Sequence, residues 1–153
     1  MMILMRRIGS RLWYLLTKSM NFLAGNYYNW TAATAGSSLG ISSGDALDSI
    51  CPKGWRLPAS SGDKSFQNLM EYGYGVSASA GGMIAITPLS FLRSGSYYWS
   101  DGNRNGRGYY GYYWSSTSSS DTGAYYLYFS SSSLYYRDND SRGGGFTVRC
   151  VAR

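Results

Sequence analysis

Residues 124–130 read AYYLYFS, and they decide between a folded strand and a low-complexity tail. Tyr125, Leu127 and Phe129 alternate on one side while Ala124, Tyr126 and Tyr128 alternate on the other, the period of two that marks a β-strand. The pattern directs Leu127 and Phe129 toward a core and leaves Tyr126 and Tyr128 outward. Around this stretch, residues 94–141 hold 13 Ser and 11 Tyr, half of the 48 positions. Serine runs alone suggest disorder, but disordered segments are poor in aromatics and this one is saturated with them. An ordered sheet is the expectation.

Further strand-like segments flank it. GFTVRCVA at 145–152 places Phe146, Val148 and Cys150 on one face and Thr147, Arg149 and Val151 on the other. SYYWSDG at 96–102 and GYYWSST at 111–117 form a local echo, too short for a solenoid repeat. Upstream, SSGDKSFQNLMEYG at 60–73 predicts a helix, with Ser61 or Asp63 as N-cap, Phe66, Leu69 and Met70 on one face, and Gly73 as the stop. In CPKGWRLP at 51–58, Pro52 and Gly54 make a turn, Trp55 and Leu57 point one way in a short strand, and Pro58 ends the pairing. An opening strand around Tyr27 to Thr31 and a buried run from Met83 to Ile86 complete the reading. The fold class is α+β, with small antiparallel sheets and one or two helices, occupying residues 21–153.

Residues 1–20 read as a degenerate export signal, an upstream fragment or a short amphipathic helix packed on the domain. Arg6, Arg7 and Arg11 precede the short apolar run LWYLL, and no apolar stretch reaches the length of a membrane span. This segment also carries most of the charge imbalance. The whole chain is formally +6, yet Arg6, Arg7, Arg11 and Lys18 lie in a segment without acids, leaving 10 of the 14 basic residues against 8 acidic ones, a balance of +2. The basic stripe of a nucleic-acid-binding surface is missing, and no nucleic-acid partner is expected.

The two cysteines, Cys51 and Cys150, read as one long-range disulfide and hence an oxidising compartment. The alternative is a pair of buried thiols. With no His in the chain, imidazole acid–base work and His-metal clusters are excluded. Glu71 is the one Glu, and the Asp residues form no paired-acid motif. Asp138, Asn139 and Asp140 lack the ligand spacing of an EF-hand and read as a polar turn, as Gly143 to Gly145 read as a turn or bulge. No catalytic residue, metal site or cofactor is expected.

Five co-linear segments then carry a resemblance: YYNWTAATAG at 27–36, CPKGWRLP at 51–58, YYWSST at 112–117, AYYLYF at 124–129 and GFTVRCV at 145–151. Together they resemble bacterial major paralogous (FISUMP-type) domains, which are similar to the C-type-lectin-like variable proteins of diversity-generating retroelements. The resemblance implies a C-type-lectin-like fold in which the Cys51 and Cys150 segments approach one another. In the variable proteins, adenine-directed mutagenesis of Asn codons cannot yield Lys, Glu, Gln or Met. Residues 94–141 contain none of these four. The triplets of calcium-dependent sugar binders are lacking, with only Trp99-Ser100-Asp101 faintly similar.

The functional expectation is therefore a secreted or surface-displayed recognition domain, not an enzyme, with a protein or glycan ligand on a cell surface. The alternative is a carbohydrate-binding lectin or adhesin domain. Tyrosine offers a large amphipathic contact area for two side-chain torsions, as in antibody loops. The expected contact residues are Tyr97, Tyr98, Tyr109, Tyr110, Tyr112, Tyr126, Tyr128, Tyr135, Tyr136, Arg137 and Asp138, with Arg104 and Arg107 at the rim. Trp99, Trp114, Tyr125, Leu127 and Phe129 are expected to serve as scaffold.

Overall fold

The computed structural model describes residues 25–36, 46, 48–76 and 89–153, so the expectations for 1–20 and for the run 83–86 lie outside the described residues. The described residues form a mixed α+β structure with two helices, α1 (Trp30–Ala33) and α2 (Phe66–Tyr74), and seven short strands. The centre is an antiparallel three-stranded sheet, β4 (Gly111–Ser118), β5 (Gly123–Phe129) and β6 (Leu134–Ser141), with β5 in the middle. β2 (Ser96–Tyr97) pairs with β3 (Arg104–Asn105), and β1 (Trp55–Arg56) pairs with β7 (Val151–Ala152) near the chain's C-terminal end.

The serine runs are turns. Between β4 and β5, the Ser119 N–H donates to the Gly123 carbonyl and the Ser120 hydroxyl accepts from the Gly123 N–H. Between β5 and β6, the Ser130 N–H donates to the Ser133 carbonyl, and the Ser130 hydroxyl accepts from the Ser132 and Ser133 N–H groups. A hydroxyl that satisfies backbone donors locally is what lets a Ser-rich segment close a hairpin.

Two bulges shape the sheet. Tyr126 pairs with Asp138 and Tyr128 with Tyr135, so Leu127 faces two residues of β6, Tyr136 and Arg137. Such a bulge turns both to the same side of the sheet. In β4, Trp114 pairs with Tyr126 and Ser118 with Ala124, leaving residues 115–117 as a buried arch outside the regular ladder. The Ser116 N–H there donates to the Pro58 carbonyl, and Trp30 Nε1 donates to the Ser115 carbonyl at 2.9 Å. The arch ties the sheet to the α1 and Pro58 segments.

Both sheet faces are covered. On one side Tyr113, Leu127, Phe129, Leu134 and Tyr136 pack with Phe66, Met70, Val76, Leu89 and Phe91. On the other, Trp114, Ala124 and Tyr126 pack with Trp30, Ala33, Leu57 and Phe146. A sheet covered twice must bury residues of both parities, which corrects the expectation that Tyr126 points outward: it is 6% exposed. The indole of Trp114 donates to the Tyr28 carbonyl and its ring stacks on Phe146 at 4.2 Å.

Several local expectations shift for physical reasons. The helix at 66–74 is capped by Ser65, whose hydroxyl accepts from the Asn68 N–H, and it ends at Gly75 in the left-handed region, so it starts and stops a few residues beyond the expected Ser61 or Asp63 and Gly73. Phe66 and Met70 are buried as expected, with Leu69 partly so. No strand runs over Tyr27 to Thr31: Tyr28 makes a single bridge to Phe146, and Asn29 caps α1 by accepting from the Ala32 N–H. Trp55 and Leu57 do not share a side, since Trp55 is exposed and Leu57 fully buried. Asp138 to Asp140 lie within β6 and not in a turn. The 145–152 segment is not one strand; Tyr97 and Tyr28 bridge to Gly145 and Phe146 before β7 begins.

Cys51 and Cys150 form a disulfide across 99 positions, with Cα atoms 5.7 Å apart. It sits beside the β1–β7 pair, so it fastens the chain's closing segment to the turn that precedes β1. No helix among the described residues is long and apolar enough to cross a membrane.

Candidate functional site

The second core does not stop at the sheet edge. From the stacked Trp114 and Phe146, rings continue outward through Tyr126 and Tyr112, whose centroids are 5.8 Å apart. Tyr112 lies 5.4 Å from Tyr128 and 6.4 Å from Tyr110. Tyr128 stands between Tyr110 at 5.7 Å and Tyr135 at 5.8 Å, with tilts of 30° and 31°. Tyr109 extends the series from Tyr110. The array is produced by strand geometry: Tyr112 and Tyr128 are direct cross-strand partners, and so are Tyr128 and Tyr135.

Exposure rises along it. Tyr126 is buried, Tyr112 and Tyr128 are half-buried, and Tyr110, Tyr135 and Tyr109 are exposed, the last at 73%. Rings anchored in a core at one end and wet at the other lose little conformational freedom when they meet a ligand.

One carboxylate enters the array. The Tyr126 hydroxyl donates to Asp138 Oδ2 at 3.0 Å, and the Asn139 N–H donates to Oδ1 at 2.9 Å. Burial, followed by the neighbouring phenols of Tyr128, Tyr98 and Tyr110 and the Asp138 charge, pushes the Tyr112 phenol up to about 12. Burial and then Asp138 raise Tyr126 further still, and Tyr128 is raised by burial and by Tyr110, Tyr135 and Asp138. The Tyr112, Tyr126 and Tyr128 phenols are therefore all held above their ordinary value beside Asp138.

The expected contact residues separate into three groups. Tyr98, Tyr109, Tyr110, Tyr112, Tyr128, Tyr135 and Asp138 belong to or border the array, with Tyr98 close enough to Tyr112 to act on its ionisation. Tyr126 forms its floor. Tyr136 and Arg137 lie on the opposite face, Tyr136 by strand alternation from Tyr135 and Arg137 because of the β6 bulge: Tyr136 is 8% exposed and donates to the Val76 carbonyl, while Arg137 covers the Tyr125 ring at 4.4 Å. Tyr97, Arg104 and Arg107 form a third group on the β2–β3 hairpin. Tyr97 meets Tyr27 edge-on at 4.8 Å and carries the Arg104 guanidinium at 6.0 Å, and both Arg104 and Arg107 act on the Tyr27 phenol.

One aromatic was misplaced by its neighbours in sequence. Trp99 and Trp114 occupy equivalent positions in the YYWS echo, but Trp114 is fully buried and Trp99 is 68% exposed over Gly143. Trp99 is thus a surface residue rather than scaffold. Asp101 accepts from both the backbone and the side-chain amide of Asn103, which hold its carboxyl below the usual range. Those bonds close the β2–β3 turn and give Trp99-Ser100-Asp101 a structural role.

A cleft of about 330 Å³ lies elsewhere, beside Cys150, with Tyr28, Leu92, Tyr113 and Arg149 in its lining. The Tyr113 phenol there is committed, since it donates to the Leu92 carbonyl and accepts from the Leu92 N–H. Arg149 is held by the Leu89 carbonyl and the Phe91 ring. Among the described residues, no cluster of three or more Asp, Glu, Cys or His is placed to hold a metal.

Residues 88–151 are similar to a family described as a domain of unknown function, DUF8237. The DUF8237-like stretch contains β2 to β6 and therefore the entire tyrosine array. No curated protein and no solved structure matches the chain.

Proposed function

We propose that this chain is a recognition domain, secreted or displayed on a surface, that binds a protein or glycan through the exposed tyrosines of β4, β5 and β6 and performs no catalysis. The observation that carries the reading is the array itself: consecutive rings run from a buried Trp114–Phe146 stack to the exposed Tyr110 and Tyr135. A phenol face of this kind gives contact area and hydrogen-bonding capacity without a reactive group.

The disulfide favours an oxidising compartment, consistent with export. The resemblance of five co-linear segments to FISUMP-type domains supports a C-type-lectin-like architecture. The composition of 94–141, free of Lys, Glu, Gln and Met, supports diversification by a retroelement, and sibling sequences differing mainly at the array positions test it. The carbohydrate-binding alternative draws on the same rings, which would stack on sugar faces.

Printed arrays of glycans and of purified extracellular protein domains, probed with and without chelator, test the proposal. Binding by the wild type that is lost in a Tyr110→Ser/Tyr135→Ser double variant of unchanged fold is the expected result. Binding that survives the double variant overturns it.

A further inference from the structure

Among the described residues, four arginines lie over aromatic rings. Arg104 lies over Tyr97, Arg137 over Tyr125, Arg142 over Trp30 and Arg149 over Phe91. All four of these contacts among the described residues fall outside the Tyr110–Tyr112–Tyr128–Tyr135 array. The charges that act on Tyr112, Tyr126 and Tyr128 come from phenols and from the carboxylates of Asp138 and Asp140. Arg137, adjacent to Asp138 in sequence, is carried to the other face by the β6 bulge.

Asp138 is also poised. Each of its oxygens accepts one bond, from the Tyr126 hydroxyl and the Asn139 N–H. Those two donors fix the carboxylate's orientation and leave lone pairs on both oxygens. A ring face is negative at its centre, so several rings beside one oriented carboxylate make a surface complementary to positive charge.

We infer that the array recognises an arginine or lysine side chain presented by a loop of a partner protein, with Asp138 as the counter-charge and Tyr112, Tyr128 and Tyr135 as the aromatic wall. This rests on the proposed recognition role and specifies the chemistry of its ligand. The guanidinium or ammonium would stand to the array as the four arginines stand to their own rings among the described residues.

Glycyl-arginyl-glycine amide, acetylated at its N-terminus, and the same peptide with citrulline in place of arginine are the probes. Citrulline keeps the planar shape but carries no charge and has a carbonyl in place of one terminal amino group. In an amide-resolved NMR titration of the intact disulfide-bonded chain, the arginine peptide is expected to shift Tyr112, Tyr128 and Asp138 signals saturably. The citrulline peptide should bind about five-fold or more weakly. Asp138→Asn should weaken the arginine peptide by a similar factor and leave the citrulline peptide unchanged. Tyr128→Leu, which keeps Asp138 and removes a ring, should weaken the arginine peptide as well, so the test does not depend on one variant folding. Equal titration by the two peptides overturns the inference while leaving the tyrosine face a recognition surface. Shifts that map to the Tyr97–Arg104 hairpin or to the Cys150 cleft overturn the inference too. Array binding that is indifferent to Tyr110 and Tyr135, by contrast, overturns the recognition role itself.

Discussion

The ring of Phe129 lies across Gly111, its direct partner in the β4–β5 ladder, so closely that a Cβ on Gly111 would overlap the ring edge. The close approach lets Phe129 reach Phe91 and Tyr113 in the core while β4 passes over it. Gly111→Ala should force Phe129 off its rotamer at a cost of about 1–3 kcal/mol, the usual range for overpacking. Urea denaturation measures it, and an unchanged midpoint would show that the ring has room to move.

Tyr126 and Tyr135 look alike in sequence and should behave oppositely. Tyr126→Phe removes the donor to a partly buried carboxylate, a loss of about 1–3 kcal/mol for a hydrogen bond to a charged group. Tyr135→Ser, at an exposed position, should stay within about 0.5 kcal/mol. Paired denaturation curves decide between them; equal effects would contradict the burial gradient along the array.

The phenols of Tyr112 and Tyr136 are pushed up to about 12 from an ordinary 10.0, in both cases first by burial. A phenol harder to ionise in the folded chain contributes stability that is fully present below the unfolded value. That contribution is lost as pH rises through the folded value. Stability should therefore fall between about pH 10 and 12, and phenolate absorbance should show a late-titrating class of tyrosines. A single ordinary transition for all 16 tyrosines would refute this.

Cys51 and Cys150 close a loop of 99 positions. In the chain-entropy account such a link stabilises by up to about 4–5 kcal/mol. A Cys51→Ser/Cys150→Ser double variant should unfold at a clearly lower denaturant concentration than the oxidised parent. Coincident curves would mean that the β1–β7 pair and the two cores suffice without it.

How much was legible in advance follows from the range of the forces involved. The period-two alternation of 124–129 located β5 without any tertiary information, because a pleated strand imposes that period directly. The helix body at Phe66 to Met70 was similarly visible, but its caps were not. Ser61, Asp63 and Ser65 are comparably good N-caps, and the choice fell to Ser65 where the Ala59 segment bridges back onto the chain. The array was legible as composition and not as geometry. Tyr135, Tyr136, Arg137 and Asp138 are consecutive in sequence, yet one extra residue in β6 sends Arg137 to the far side with Tyr136 and brings Asp138 back to the side of Tyr135. A bulge has no signature in residue types that strands otherwise accept.

The amino-acid order alone determined that this is an α+β chain with a strand-rich, tyrosine-loaded C-terminal region, two cysteines available to pair, and no imidazole chemistry, since these depend on local periodicity and on which groups exist. Only the tertiary structure decided which phenols are buried and which meet solvent. That outcome depends on the sheet being packed on both sides and on two bulges that reset strand parity, and both are properties of segments distant in the chain meeting in space.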